Sequence, residues 1–154
     1  MTITLKNGRQ FQIDEQDWDT VKCIKWNVHL MKKGYKYVYT FQKLNEKRKM
    51  VYLHRLLMNC SESLFVDHIN GNTLDNSRLN LRISTNKQNQ WNQKRVRGVV
   101  PYKGVTFENG GFRSRIRING KKKSLGKFKT AIEASNAYNK ASLELHGFYS
   151  YTVK

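Results

Sequence analysis

The sequence has few acidic residues, only two cysteines and no long apolar run. It contains 11 Asp and Glu against 29 Lys and Arg, a formal net charge of +18 at pH 7. Cys23 and Cys60 form no CxxC-type pair, so neither a zinc site nor a disulfide framework is expected. No segment approaches 18 apolar residues, and the start MTITLKNGRQF lacks an apolar signal region, so we expect a cytoplasmic protein without a membrane segment.

The excess of positive charge predicts a polyanionic partner. Lys and Arg residues that replace counterions on a phosphate backbone release those ions, and the released ions gain entropy. Charge alone does not separate DNA from RNA, and a basic protein can also be merely soluble. Aromatic residues make up 12% of the chain, enough with its aliphatic residues for one or two small cores, so wholesale disorder is not expected.

Residues 1–50 have the pattern of a small strand-rich module. The stretch TITLKNGRQFQID alternates around Asn7-Gly8, which predicts a β-hairpin. Asp14 or Asp17 is placed to cap a short helix that follows. The stretch YKYVYTF alternates again, and we interpret its aromatic face as core packing. That face carries Tyr35, Tyr37, Tyr39 and Phe41.

Residues 51–97 show the order strand, loop, strand, helix. MVYLHRLLMN begins as a strand and continues as a short helix. A short apolar segment at Leu64-Phe65-Val66 then leads into Asp67 and His68, and a second strand is predicted from Leu79 to Ser84 after an irregular loop. Thr85 and Gln88 match the capping box S/T-x-x-E/Q, which predicts that a helix starts there. This order is that of a ββα unit.

The ββα order brings an aspartate and an asparagine into reach of one cation. Asp67 ends the first strand, and Asn89 lies one turn into the helix, so the two oxygens can meet if the helix packs across the strands. Carboxylate and amide oxygens suit Mg²⁺ or a similar ion that keeps several waters. His68 points to the other side of the strand and can take a proton from an attacking water. The alternative is a solvated loop, since residues 69–92 include seven asparagines.

Four motifs in this segment resemble the HNH endonuclease family, and most closely its phage and intron-encoded homing enzymes. They are HRLLM at 54–58, VDHINGNTLDN at 66–76, NLR at 80–82 and TNKQNQ at 85–90. The resemblance implies a ββα-metal unit that binds one divalent ion and cuts double-stranded DNA. It would suit a protein of a bacterium or of a phage-infected host.

The resemblance also implies a role for each matching residue. Asp67 and Asn89 would hold the metal and His68 would be the general base, so these three are the candidate catalytic residues. Asn80 would tie the loop together through backbone hydrogen bonds. Asn89 stands where many relatives have histidine, which favours Mg²⁺ or Mn²⁺ over zinc. His54 matches the HRL motif and can contact phosphate or give structural support, and we favour support.

Residues 98–154 follow a basic run at 94–98 and predict a three-stranded meander backed by a helix. Asn109-Gly110 and Asn119-Gly120 mark turns between strands at about 102–107, 112–118 and 122–128. The helix should start at a capping box of Thr130 and Glu133, end at Gly147 and bury one face. That face comprises Ile132, Ala134, Ala137, Tyr138, Ala141 and Leu145.

The central strand of this meander places three arginines on one face. Arg113, Arg115 and Arg117 alternate with Phe112, Ser114, Ile116 and Ile118, which point to the other face. Unpaired like charges on neighbouring positions repel. We therefore expect a polyanion to cover them. Residues 94–129 contain 12 Lys and Arg and a single acidic residue, Glu108.

The motifs YKGV at 102–105, LGKF at 125–128 and AxxAYxxA at 134–141 resemble the AP2 DNA-binding domain. That family lays its sheet in the major groove. The implied DNA contacts are Lys103, Arg113, Arg115, Arg117 and Lys122. Ser124 stands where a groove-facing tryptophan is common, so the target sequence does not follow.

Taken together, the sequence predicts an α+β protein with three parts: a strand-rich module at 1–50, an HNH unit at 51–97 and an AP2-like domain at 98–154. The expected function is metal-dependent DNA cleavage of the homing type. A monomer with one site would nick one strand, and a homodimer could cut both. The alternatives are a non-catalytic DNA-binding regulator with a degenerate HNH unit and an RNA-binding protein.

Overall fold

The computed structural model describes residues 1–31, 34–44, 46–93 and 99–150. These residues form a mixed α+β structure with several small antiparallel sheets and few helices. The chain splits into two compact units, Met1–Asn89 and Gln90–Lys154. Among the described residues, no helix is long and apolar enough to cross a bilayer.

The first unit is built from short strands and short helices. Its strands are β1 (Thr2–Thr4), β2 (Gln10–Gln12), β3 (Asn27–Leu30), β4 (Lys36–Leu44), β5 (Lys47–Tyr52), β6 (Phe65–His68) and β7 (Leu81–Ser84). Its helices are α1 (Trp18–Val21), α2 (Leu53–Leu57) and the start of α3 (Asn86–Asn92). β1 pairs with β2, β3–β4–β5 form one sheet, and β6 pairs with β7.

The predicted first hairpin is confirmed. The Gly8 N–H donates to Leu5 O at 2.9 Å, and Gly8 has φ +76°, which the turn requires and a side chain would oppose. The predicted aspartate caps are wrong, because neither Asp14 nor Asp17 accepts a capping hydrogen bond. Both carboxylates instead bind Arg78, through its backbone N–H and its guanidinium.

The aromatic residues of β4 do not form the core, contrary to our interpretation of the alternation. Val38 and Thr40 on the opposite face are buried instead. Tyr35 and Phe41 remain 41% and 40% exposed. The pattern predicted the strand correctly, but it could not tell which of the two faces meets the core.

Residues from both sides of position 50 share one hydrophobic core. Leu53 and Leu57 of α2 pack with the buried residues of the N-terminal strands, so the division at residue 50 does not separate two cores. The full cluster is Phe11, Ile13, Val21, Trp26, Val28, Val38, Leu53 and Leu57. The candidate site therefore stands on a scaffold that includes the N-terminal module.

The second unit has a three-stranded antiparallel sheet and a long helix. The sheet has the order β10 (Lys121–Phe128), β9 (Gly111–Ile118), β8 (Val105–Glu108), and α4 runs over Ala131–His146. Both asparagine turns are present, with positive φ at Asn109 and Asn119. The meander followed by a helix is confirmed; its identity as an AP2 domain stays a prediction.

α4 starts and ends where the sequence predicted. The Thr130 side chain and the Glu133 backbone form the capping box with its reciprocal bond, and Gly147 follows the last turn. The predicted buried face is only partly correct, because Ile132 and Leu145 are 61% and 44% exposed. The buried residues of α4 are Ala134, Ser135, Tyr138 and Ser142.

Gly104 shows how closely α4 approaches the sheet. A Cβ on Gly104 would lie 2.1 Å from the Tyr138 ring and 2.7 Å from Arg115 O. Gly104 also has φ +75°, so the position requires glycine on both counts.

Candidate active site

The strands and helix that carry the candidate residues occur in the predicted order. β6 and β7 pair antiparallel, with Asp67 opposite Arg82 and His68 opposite Leu81. The loop between them includes a 3₁₀ turn at Arg78–Asn80, and α3 follows β7. Asp67 and His68 thus lie side by side on β6, with their side chains on opposite faces as strand geometry requires.

The capping box predicted for α3 is present. The Gln88 N–H donates to Thr85 Oγ1 at 3.3 Å, and the Thr85 N–H donates to Gln88 Oε1 at 2.8 Å. The box sets the first turn, so Asn89 is the fourth residue of α3 and its N–H donates to Thr85 O at 3.0 Å. Asn89 is half-buried.

A buried arginine holds the candidate metal-binding carboxylate. Arg82 Nε and Nη2 donate to Asp67 Oδ2 at 2.9 and 2.7 Å. The two residues are 6% and 7% exposed, so the two charges compensate each other away from bulk water. The sequence reasoning missed Arg82. The signal available was its position in the predicted strand, since pairing β6 with β7 places a cation opposite Asp67.

His68 is buried and keeps a neutral imidazole. Burial lowers its pKa, and it does so against Asn76, Asp67 and Asp75, which act to raise it. Asn76 Oδ1 lies 3.5 Å from His68 Nε2, and Asn76 Nδ2 donates to Leu74 O, which orients the amide. Because Oδ1 only accepts, the tautomer that makes this contact has its proton on Nε2 and its lone pair on Nδ1.

His54 packs against His68 rather than facing solvent. The ring centroids lie 5.2 Å apart, and Tyr37 and Tyr52 pack on His54 at 5.4 and 5.6 Å. Burial lowers the pKa of His54 to about 3, so it carries no charge with which to attract a phosphate. This environment agrees with the expected supporting role. His54 Nδ1 has no hydrogen-bond partner among the described residues.

Asn80 links distant parts of the loop between β6 and β7. Its Oδ1 accepts from the Asn70 N–H at 2.9 Å, and its Nδ2 donates to Asp75 O at 2.7 Å. These are backbone hydrogen bonds of the kind that the resemblance implied. Asn80 is buried, so its amide replaces water for both backbone groups.

Asp67 of β6 and Asn89 of α3 carry oxygens of the type that bind a cation retaining part of its water shell. Asp67 offers a carboxylate and Asn89 an amide oxygen, both hard ligands of the type that Mg²⁺ and Mn²⁺ accept. No group of three or more His, Cys, Asp or Glu converges on a common point within the described ranges. The donor set present there therefore suits an ion that is also bound by water and substrate oxygens.

In the second unit, Glu108 pairs with two of the three arginines on the sheet. Arg113 Nε forms an ion pair with Glu108 Oε1, and Arg115 Nη2 lies 2.7 Å from the same oxygen. The expectation that only a polyanion could cover these arginines is wrong. The cause is local, because β8 places the one carboxylate of the segment 94–129 on the same face of the sheet.

The other proposed DNA contacts differ in exposure. Arg117 and Lys122 are exposed and lie opposite each other across β9 and β10. Lys103 is half-buried, and its Nζ donates to Trp91 O at 2.6 Å. Burial lowers the pKa of Lys103 to about 8. The basic run at 94–98 lies outside the described residues.

Comparison with known proteins connects part of this geometry to a nuclease family. Residues 59–91 match a family model described as HNH endonuclease. The chain is also 26% identical over 133 residues to an uncharacterized HNH endonuclease of Acanthamoeba polyphaga mimivirus, covering 86% of this chain and 68% of that protein. Both findings support a nuclease enzyme. HNH nucleases act on DNA and generally use a divalent metal ion.

Proposed function

We propose that this protein is a metal-dependent DNA endonuclease of the homing type that hydrolyses a phosphodiester bond. One observation carries the proposal: a buried carboxylate and a buried neutral imidazole, Asp67 and His68, adjoin on β6 inside the segment that matches the HNH model. Neither residue belongs to the hydrophobic core cluster, and each carries a chemistry that hydrolysis needs.

His68 is the proposed general base. Its imidazole is neutral because burial lowers its pKa, so it can accept a proton at Nδ1 from a water that attacks phosphorus. The rings of His54 and Tyr37 pack beside it and limit its rotation. Their contribution is to hold the base in one orientation without competing for the proton.

Asp67 and Asn89 would hold one divalent ion, Mg²⁺ or Mn²⁺. When bound, such an ion polarises the phosphodiester and stabilises the leaving oxygen. Arg82 donates to the Asp67 carboxylate through Nε and Nη2 and so directs it. Asn80 closes the loop that connects the two strands and so fixes the position of β6 relative to β7.

The sheet of the second unit is the surface proposed to bind DNA and to select the target site. Glu108 neutralises one charge, but four further cations lie on the same face. They are Arg117, Lys122, Lys127 and one of Arg113 and Arg115, since Glu108 offsets a single charge of that pair. Arginine can recognise guanine with two hydrogen bonds, whereas lysine mainly contacts phosphate. One catalytic site in a monomer would nick one strand.

The test is cleavage of supercoiled plasmid with Mg²⁺ or Mn²⁺, with and without EDTA. We expect open circles with metal and none with EDTA. His68→Ala and Asp67→Ala should abolish cleavage and leave DNA binding nearly unchanged. Leu79→Ala is the matched control, because Leu79 lies in the same segment with its side chain in solvent. Equal cleavage by His68→Ala and wild type would refute the assignment.

A non-catalytic DNA-binding regulator is the second candidate. The observation that favours it is the Asp67–Arg82 pair, since a guanidinium already satisfies the carboxylate that a metal would need. This candidate predicts metal-independent DNA binding and a plasmid that stays supercoiled at every metal concentration.

A further inference from the structure

The sheet β3–β4–β5 has a second face that the core does not use. Strand register places Tyr39 opposite Tyr52, Phe41 opposite Met50, and Lys43 opposite Arg48. All of these lie on the side away from buried Val38 and Thr40, and His29 of β3 extends the set. We call this surface the aromatic face: His29, Tyr37, Tyr39, Phe41, Lys43, Arg48, Met50 and Tyr52.

The outer end of the aromatic face combines exposed rings with cations. Phe41 is 40% exposed, and the Arg48 guanidinium lies 4.1 Å from its ring centroid. Tyr39 packs edge-on against Phe41 at 5.6 Å and against His29 at 5.9 Å. The Arg48 guanidinium therefore stacks on the Phe41 ring. Of the ion pairs among described residues, none includes Arg48 or Lys43.

The inner end of the aromatic face reaches the candidate base. Tyr37 packs against Tyr52 at 5.8 Å, and its ring centroid lies 6.2 Å from that of His68. The ring contacts form an outer group at Phe41 and an inner group beside His68, and the register of Tyr39 opposite Tyr52 places both groups on one face of the sheet. A ligand whose reacting bond sits at His68 would extend along this face.

The chemistry of the face selects the ligand. Guanidinium and ammonium groups bind phosphates, and exposed rings or flat guanidinium groups stack on bases. A sheet surface that alternates the two is the arrangement used to bind single strands, because every base has a face to stack. Exposed rings without cations would fit a protein partner equally well. The cations beside these rings favour a nucleic acid strand over a protein.

We propose that the aromatic face binds the DNA strand beside the cleavage site, with an unpaired base stacked on Arg48 and Phe41 and its phosphate near Lys43. This inference rests on the proposed nuclease function, since it takes its substrate from that function. It assigns the sheet β3–β4–β5 a share in substrate binding as well as in the core.

The experiment measures binding of a fluorescein-labelled 40-nucleotide single strand, and of the same sequence as a duplex, to the full chain in EDTA. Arg48→Ala and Phe41→Ala should each weaken single-strand binding roughly tenfold, because one stacked base is lost. Arg48→Ala should also reduce the salt slope by about 0.7. Phe41→Trp should bind the single strand with the affinity that Phe41→Ala loses, because it keeps an aromatic ring. The tryptophan emission that it adds should be quenched when the strand binds.

Two controls match these variants. Lys47→Ala removes a charge next to Arg48, but Lys47 lies on the face of the sheet away from the aromatic face. Leu30→Ala removes an exposed apolar side chain, also from the face away from the aromatic face. Both should bind within twofold of wild type. Thermal melting of each variant checks that the fold is retained, and Phe41→Trp serves as the variant that keeps the ring if Phe41→Ala melts early.

The outcomes separate this inference from the nuclease function. Equal losses from Arg48→Ala and Lys47→Ala, or unquenched emission from Phe41→Trp, would overturn the inference even if the plasmid is cut. Self-association of the chain that Phe41→Ala abolishes would also overturn it, because a second copy would then be the occupant. A plasmid that stays uncut with intact single-strand binding on this face would overturn only the nuclease function.

Discussion

Replacing Arg82 with leucine should lower the free energy of unfolding of the first unit by about 3–5 kcal/mol. The change removes the Nε and Nη2 donors that hold Asp67 Oδ2 at 2.9 and 2.7 Å. Asp67 is 7% exposed, so little water can replace these donors, and the compensation of a buried charge is weakened. A small domain is stable by about 5–15 kcal/mol, so the loss should be easily measured.

The assay is urea unfolding followed by tryptophan fluorescence, to which Trp26 in the core of the first unit contributes. Asp67→Leu should destabilise as strongly as Arg82→Leu, since it removes the carboxylate that compensates the buried guanidinium. The double variant should recover most of the loss, because an apolar pair of similar volume replaces an ion pair at little cost. Lys22→Ala breaks the exposed pair with Asp19 and should cost less than about 1 kcal/mol.

Two results would refute this reasoning. A loss below about 1 kcal/mol for Arg82→Leu would mean that the charges are solvated despite their burial. A double variant as unstable as the sum of the single variants would mean that the two residues act independently. If Asp67 also binds a divalent ion, Mg²⁺ should stabilise Arg82→Leu more than wild type, because the cation takes the place of the guanidinium.

Three further predictions concern other residues. The pKa of His54 is lowered from 6.5 to about 3, so the free energy of unfolding should fall as the pH drops from 6.5 toward 3, because the unfolded chain then binds a proton that the folded chain does not. At pH 4.5 wild type should have lost roughly 2–3 kcal/mol more than His54→Gln. Urea unfolding at each pH measures the difference. Asn80→Ala should cost about 2–4 kcal/mol, since two buried backbone groups lose their partner, and a cost below about 1 kcal/mol would contradict the assigned role. Glu108→Gln should tighten DNA binding and steepen its salt slope by up to about 0.9 per released arginine, and an unchanged slope would show that the sheet face does not meet phosphate.

The features predicted correctly are those with signals close together in the sequence. The turn at Asn7-Gly8 and the capping boxes at Thr85 and Thr130 each depend on residues within four positions. The backbone requirements of such elements are met locally, so tertiary packing rarely changes them. The order of strands and helices followed from these signals, and with it the position of Asn89 in α3.

The features that the sequence could not supply involve partners far apart in the chain. Asp17 and Arg78 are 61 residues apart. The Asp17 carboxylate binds the Arg78 guanidinium and does not cap the helix, because a charge-assisted hydrogen bond is stronger than one to a neutral backbone N–H. The pairings of Arg82 and Glu108 join residues that are closer in the sequence, and they were missed because each forms across a strand pair. The buried face of β4 was also undetermined, because alternation identifies two faces but does not say which one meets the core.

The surroundings of His68 show why these distant partners matter for chemistry. A carboxylate next to an imidazole normally raises its pKa, and Asp67 and Asp75 both act in that direction. Burial outweighs them, which keeps the ring neutral, but burial of Asp67 on the same strand would be costly without a counter-charge. Arg82 provides that charge on the opposite side of β6 from His68. The strand can therefore bury a carboxylate and an uncharged base at adjacent positions, because the arginine across the ladder compensates the carboxylate and burial keeps the imidazole neutral.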